Sequence, residues 1–407
     1  MSLSYLLADD HTTMLNIIEK ILCHFESCFS RKAAFRWFVI IITGLMLRSD
    51  KLGVTSILRD LALAPGCYDS MLHFFRASSW SLEDIRKRWF SAVRLYAPLY
   101  KEGNFHVLVG DGVKQSKEGR RMPGVKKLFQ ESENSAKPEY MHGHMFGGLG
   151  ILAGNFRSWA CIPLSIRLHD GLQAAREWKG ASVSTASHVV QMVEDSYHAA
   201  LTFGDSLLLL DRYFLTVPAL EKLRELNNSG KVHMEIVTKA KKSCTAFQKP
   251  GPRKPGRGRP PKKGDAVHLK GLFASHKEQF METETELYGK KKTIRYYSID
   301  LLWGQKLYQE LRFVLVEMDG IQSILASTSL ALDPLSIIRL YSYRFRIECT
   351  FRELKQQTGA FCYHFWSKHM PKLSYYQKKG EPTPLERVED ERSRKKILKT
   401  VRAIEVH

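Results

Sequence analysis

The chain has no paired-cysteine motif. Its seven cysteines, Cys23, Cys28, Cys67, Cys161, Cys244, Cys349 and Cys362, are scattered over 407 residues, with no CxxC and no histidines at zinc-finger spacing. This excludes a disulfide framework and a structural zinc site, and predicts reduced thiols in a cytoplasmic protein. Long hydrophobic runs are missing too. The strongest, Phe38–Leu47, is too short to span a bilayer and predicts a buried helix segment, not a membrane anchor. The opening residues Met1–Asp10 are acidic and lack the basic-then-apolar order of a secretory signal. Negative charge is scarce: 42 acidic residues face 62 basic ones, a formal net charge of +20. The natural partner of such a surface is a polyanion.

What is present divides the chain by texture. Residues 1–98 predict a helical region, with helices near 12–29, 31–48, 54–62 and 82–94. Pro65-Gly66 interrupts it, and Ser81 is a candidate N-cap. It reads equally as a DNA-end-recognition domain or as a structural cap. Residues 99–238 alternate strand-like and helical stretches in an α/β order. Residues 239–328 read as an insertion with mostly β character. Its first part, Lys239–Lys263, holds ten basic residues and no acid. The proline- and glycine-rich centre of that stretch cannot form a regular helix. Residues 329–370 return to helix, and 371–407 form a charged tail, helical or in part unstructured.

Three acidic positions stand out. Phe105–Gly110 predicts a buried strand that delivers Asp111 at its exit, followed by Gly112. Leu207–Leu210 is a second apolar run, followed at once by Asp211-Arg212. Asp205 competes for the second position, but it precedes its run whereas Asp211 follows it. Farther on, Tyr341, Arg344, Glu348 and Lys355 stand at offsets of 0, 3, 7 and 14 residues. On one continuous helix those offsets fall within about 60° of each other. Ile347, Phe351 and Leu354 form a neighbouring apolar stripe. Glu353 competes with Glu348 but projects about 140° away from it. Two aspartates at strand ends and a glutamate on a helix are a donor set for hard divalent cations, Mg²⁺ or Mn²⁺, beside a phosphodiester. Each aspartate alone reads equally well as a turn or an ion pair.

Basic and aromatic positions suggest the DNA-facing side. Lys114, Lys117, Arg120 and Arg121 lie in a basic stretch, Lys114–Lys127, that reads as a DNA-tracking loop or as ordinary solvated surface. Arg257-Gly-Arg259-Pro260 matches the short core with which AT-hooks enter a narrow minor groove. His142 and His144 are candidates to line the site, but are too few for zinc.

The interval Tyr-x2-Arg-x3-Glu-x6-Lys, the Asp111-Gly112 strand end and the Leu-Leu-Asp211-Arg212-Tyr213-Phe214 strand end together resemble DDE transposases of the IS4 group, with its IS701-like and Tn5-like relatives. The resemblance covers roughly residues 100–365. It implies an α/β, RNase H-like catalytic core with a mostly β insertion subdomain, preceded by an N-terminal helical domain. It implies Asp111, Asp211 and Glu348 as catalytic metal ligands. It implies Tyr341, Arg344, Lys355 and Arg212 as contacts to DNA, and Trp303 as a candidate stacking ring for a flipped base. Trp303 reads equally as a half-buried core residue. The implied partners are the inverted-repeat ends of an insertion sequence and target DNA, with two protomers in the synaptic complex, in a bacterial or archaeal cytoplasm beside the nucleoid. The implied reaction is hydrolysis at each end followed by strand transfer, with a hairpin route in some relatives. Two other readings stay open: a metal-dependent nuclease of the same fold without strand transfer, and an inactive DNA-binding regulator.

Overall fold

The computed structural model describes residues 3–406 apart from 51–52, 131–135, 137, 156–157, 181–186, 252–259, 375 and 377–380. The N-terminal region is helical, as its sequence predicts: α1 (Leu3–Cys23), α2 (Lys32–Leu47), α3 (Val54–Asp60), α4 (Cys67–Phe74) and α5 (Leu82–Tyr96). Ser81 caps α5 by accepting from the Asp84 backbone N–H at 3.3 Å. The unexpected element is α4, a two-turn helix directly after Pro65-Gly66. Its Phe74 stacks on Trp80 with ring centroids 4.8 Å apart. Phe25, Phe29 and Phe38 complete an aromatic core.

The next strands are β1 (Lys101–Glu102), β2 (Phe105–Ser116), β3 (Lys126–Phe129), β4 (Tyr140–Asn155) and β5 (Ser158–Leu168). They are followed by α6 (Gln173–Glu177), α7 (His188–Phe203), β6 (Ser206–Leu209), α8 (Val217–Ser229) and β7 (Met234–Ala240). The chain continues with β8 (Thr245–Phe247), β9 (Ala266–His268), α9 (Leu272–Ser275), β10 (Met281–Leu287), β11 (Lys290–Trp303), β12 (Gln309–Met318) and β13 (Ile321–Ser327). It closes with α10 (Pro334–Tyr343), α11 (Arg346–Gln357) and α12 (Glu391–Val406).

One mixed sheet holds these strands. Its central order is β4-β2-β6-β7, with β5 on the far side of β4. β2, β6 and β7 are parallel, and β4 and β5 are antiparallel additions. Strand alternation sorts the core into two faces. Val107, Val109, Leu207 and Leu209 pack with Ile337, Leu340, Ile347 and Phe351 of α10 and α11. Leu108, Leu208 and Leu210 pack with Val193 of α7 and Leu220 of α8. A mixed sheet with helices on both faces is an α/β fold consistent with the RNase H-like arrangement.

Several expectations need correction. β2 does not end at Gly110 but runs on through Asp111 and Gly112 to Ser116, because β4 continues to pair with it, Asp111 opposite Gly148. The basic stretch is not a free loop. Lys117 is buried, donates to the carbonyls of Phe361 and Tyr363 and lies over the Tyr363 ring. Arg121 donates to the carbonyls of Lys368 and Met370. The strands after residue 239 prolong the core sheet, since β13 pairs antiparallel with β7. The charged C-terminal segment contains the expected helix, α12, and its Ile397, Val401 and Ile404 are buried in the same core cluster as Val107 and Leu207. The segment 341–355 is not one helix. α10 stops at Tyr343, Arg344 and Phe345 form a turn, and α11 begins at Arg346.

Candidate active site

The strand register sets the two aspartates side by side. Val107, Leu108 and Val109 pair in parallel with Leu207, Leu208 and Leu209. Two residues beyond the last pair, each chain carries an aspartate, Asp111 and Asp211. Both keep the parity of Val109 and Leu209, so they belong to the face covered by α10 and α11.

The turn between those helices supplies the other groups. Tyr341, in the last turn of α10, donates its hydroxyl to Asp211 Oδ1 at 3.4 Å. Arg344, in the turn, donates to Asp111 Oδ2 at 3.2 Å and to Glu348 Oε1. Glu348 stands in the first turn of α11 and its side chain is 54% exposed. A single arginine thus bridges two of the three carboxylates while a tyrosine holds the third. The break at 344–345 makes this possible. Its backbone bonds skip three residues, with Ile347 N–H donating to Arg344 and Glu348 N–H donating to Phe345, which tightens the turn beneath Glu348. Ile347 and Phe351 anchor α11 to the sheet below. Gly148 lets the ring approach: a Cβ there would lie 2.4 Å from Phe351 Cζ.

Beside the carboxylates an open groove of about 440 Å³ is lined by Asp111, Lys114, Glu348, Arg352, Lys355 and Gln356. Lys114 and Lys355 therefore stand on the same groove as two of the acids. Burial pushes the Asp111 carboxyl up to about 6 against the pull of Arg344, and the charges of Asp211 and Glu348 add to the rise. The sign of the consequence follows. The folded pKa lies above the ordinary aspartate value of about 3.9, so the folded chain holds the extra proton between those two values. Stability therefore falls as pH rises from about 4 to about 6 and stays reduced above it. Asp111→Asn is expected to be more stable than the native chain at pH 7.5 by up to about 3 kcal/mol. The gain should shrink toward pH 4, as read by denaturant unfolding in EDTA. A destabilised variant at pH 7.5 would refute the burial argument.

The competing acids are placed elsewhere. Asp205 accepts from the His233 backbone N–H at 2.7 Å. Glu353 is exposed beside Arg352 and lines a different hollow, with Cys161 and Thr350. Arg212 is exposed immediately after Asp211. His144 does not line the site: it is buried between the Tyr363 hydroxyl, 2.6 Å from Nδ1, and the Pro123 carbonyl, 2.9 Å from Nε2. Trp303 is half-buried and donates Nε1–H to Cys244 Sγ at 3.1 Å. Arg257 and Arg259 lie outside the described residues. All seven cysteines are free. Among the described residues no helix is long and apolar enough to cross a membrane.

Sequence reasoning missed a buried relay under this site. Asp195 Oδ2 lies 2.9 Å from His169 Nε2, and His169 Nδ1 lies 2.7 Å from His188 Nδ1. With Asp195 accepting from His169, the neutral pair leaves a lone pair on His188 Nε2. That nitrogen has no hydrogen-bond partner among the described residues and would stand 2.8 Å from a Cβ at Gly112. The His188 ring also contacts Phe214, three residues after Asp211, at a centroid distance of 5.3 Å. The relay thus braces both aspartate-bearing segments from the α7 face. His169→Ala leaves buried Asp195 with Arg167 on its other oxygen but no donor on Oδ2, and is expected to cost about 1–3 kcal/mol in urea unfolding. A loss under 0.5 kcal/mol would show the relay to be incidental.

The chain belongs to the DDE superfamily endonucleases: the model of that family, DDE_5, matches residues 24–297. The match takes in most of the N-terminal helices, Asp111 and Asp211, and ends inside β11, before the Tyr341–Lys355 segment. No curated protein and no solved structure matches the chain significantly.

Proposed function

We propose that the chain is a DNA transposase of the IS4 group, cutting DNA at insertion-sequence ends and joining the freed 3′-hydroxyl to target DNA. The observation that supports this reading is the hydrogen bonding of Arg344 to both Asp111 and Glu348 and of Tyr341 to Asp211. The reading keeps the five-part division of the chain at residues 98, 238, 328 and 370.

Among the described residues no three Asp, Glu, His or Cys side chains close round a single point, and Arg344 bridges two of the carboxylates. The chemistry nevertheless fits: three carboxylates offer only hard oxygen donors, which suit a divalent cation. Asp111, Asp211 and Glu348 would hold Mg²⁺ or Mn²⁺, which supplies Lewis acidity to the attacked phosphodiester.

The chain's own groups do the rest. Lys114 and Lys355 flank the groove and attract the phosphate backbone, and exposed Arg212 adds a third cation. Arg344, once released from Glu348, and Tyr341 orient the scissile phosphate. Arg257 and Arg259 contact the minor groove. Water attacks phosphorus, the 3′-oxygen leaves with a proton, and that hydroxyl then attacks target DNA with loss of a second 3′-oxygen. Two protomers, one per end, act together beside the nucleoid. A nuclease without strand transfer is the second reading, favoured by the family's description as an endonuclease.

Purified protein incubated with Mg²⁺ and DNA bearing candidate inverted repeats tests the proposal. Cuts at the repeat ends and joined target products are expected, both lost in EDTA. Cuts without joined products select the nuclease, and binding without cuts refutes both enzymatic readings.

A further inference from the structure

Apart from the carboxylate groove, a cleft of about 680 Å³ opens where the N-terminal helices meet α12. Its wall carries Arg31, Arg76, Lys179, Lys399 and Arg402 as permanent cations, with His73, against the single carboxylate of Glu405. Glu405 is answered by Lys179 at 3.7 Å. Arg31, Arg76 and Lys399 are exposed, and among the described residues none has an acidic partner.

The cleft continues along α12. Arg392, Lys395, Lys396 and Lys399 stand at offsets of 0, 3, 4 and 7 and are all exposed, so they form one stripe of the helix. Ile397, Val401 and Ile404 fix the opposite face in the core. The stripe is therefore a rigid row of cations. At 1.5 Å per residue it runs about 10 Å, three times the axial spacing of about 3.4 Å between charges on one DNA strand. At the cleft floor, Arg402 donates to the Trp80 carbonyl at 2.6 Å and its guanidinium lies 5.1 Å from the Trp80 ring. This pins α12 to the N-terminal helices, so both walls hold their spacing.

We propose that this cleft and the α12 stripe bind the sugar–phosphate backbone of duplex DNA independently of sequence, as a site separate from the carboxylate groove. The inference rests on the DNA-acting reading of the protein. A row of exposed cations on one helix face, in which Lys395 alone has an acidic neighbour (Glu391 at 3.7 Å) among the described residues, suits a regularly spaced polyanion, and contacts to phosphate carry no base information. The site anchors the flank of a duplex whose reacting phosphate lies in the groove.

The test uses the full chain and a random-sequence duplex. Native protein and the Arg31→Gln/Arg76→Gln/Lys399→Gln variant are titrated at several salt concentrations. The three side chains are exposed, so folding is spared, and Lys399→Arg serves as the charge-preserving control. Losing three phosphate contacts should flatten the log–log salt slope by roughly 2.7 and weaken binding about a hundredfold near 0.15 M salt. Lys399→Arg should bind as the native chain does, and strand cleavage at saturating DNA should persist in the triple variant. An unchanged slope and affinity would overturn the proposed cleft. Failure of the native protein itself to bind any duplex would instead overturn the DNA-acting reading, and the cleft with it.

Discussion

Glu348→Gln is expected to bind end DNA as tightly as the native chain while losing Mg²⁺-dependent strand cleavage by on the order of a thousandfold. The amide has the shape of the acid, and its oxygen still accepts from Arg344, so the local hydrogen bonding survives. More than half of the side chain is exposed, so the fold has little to lose. What disappears is one negative charge at the place proposed to hold a cation against a phosphodiester. Glu353→Gln, one turn farther along the same helix, should cleave normally. Gel-shift and cleavage assays run in parallel on both variants decide the matter. Full cleavage by Glu348→Gln would remove it from the site, and equal losses in both variants would point to a general effect of charge on α11.

Phe351→Ala is expected to cost about 3–5 kcal/mol of stability, and to depress cleavage even where the variant remains folded. The ring is buried between α11 and the sheet, over Gly148, the residue paired with Asp111. Removing it leaves a cavity under the helix that carries Glu348, and takes away the contact that fixes its height over the two aspartates. Gly148→Ala probes the same contact from below. Its Cβ would press on the ring, and the expected cost is about 1–3 kcal/mol. Denaturant unfolding measures both. A change below 1 kcal/mol for Phe351→Ala would mean that α11 is held chiefly by other contacts.

The motif on which the site was found is visible in the sequence because its information is local. Tyr341, Arg344, Glu348 and Lys355 keep helical intervals, and Ile347 and Phe351 mark the buried side. The continuous apolar runs that lead into Asp111 and Asp211 are legible for the same reason. The helix break at Arg344 is not legible. Both turn residues keep right-handed helical backbone angles, and neither is a proline or glycine, so no residue type announces it. The register that levels Asp111 with Asp211 belongs to a strand pairing across 100 residues. The His169–His188–Asp195 relay joins positions with no periodic relation. In α12 the charged exterior masked a stripe of four buried aliphatic residues, Ile397, Val401, Ala403 and Ile404.

The docking of α12 also sets an order of events during synthesis. Ala403 packs into the aromatic core of the N-terminal helices, and Arg402 reaches the Trp80 carbonyl across 322 residues of chain. At a translation rate of roughly 5–20 residues per second, that partner emerges about 15–60 s after Trp80. For that interval the nascent N-terminal helices carry an uncovered basic and aromatic seam. A ribosome-bound intermediate with this seam open is a natural client for a chaperone.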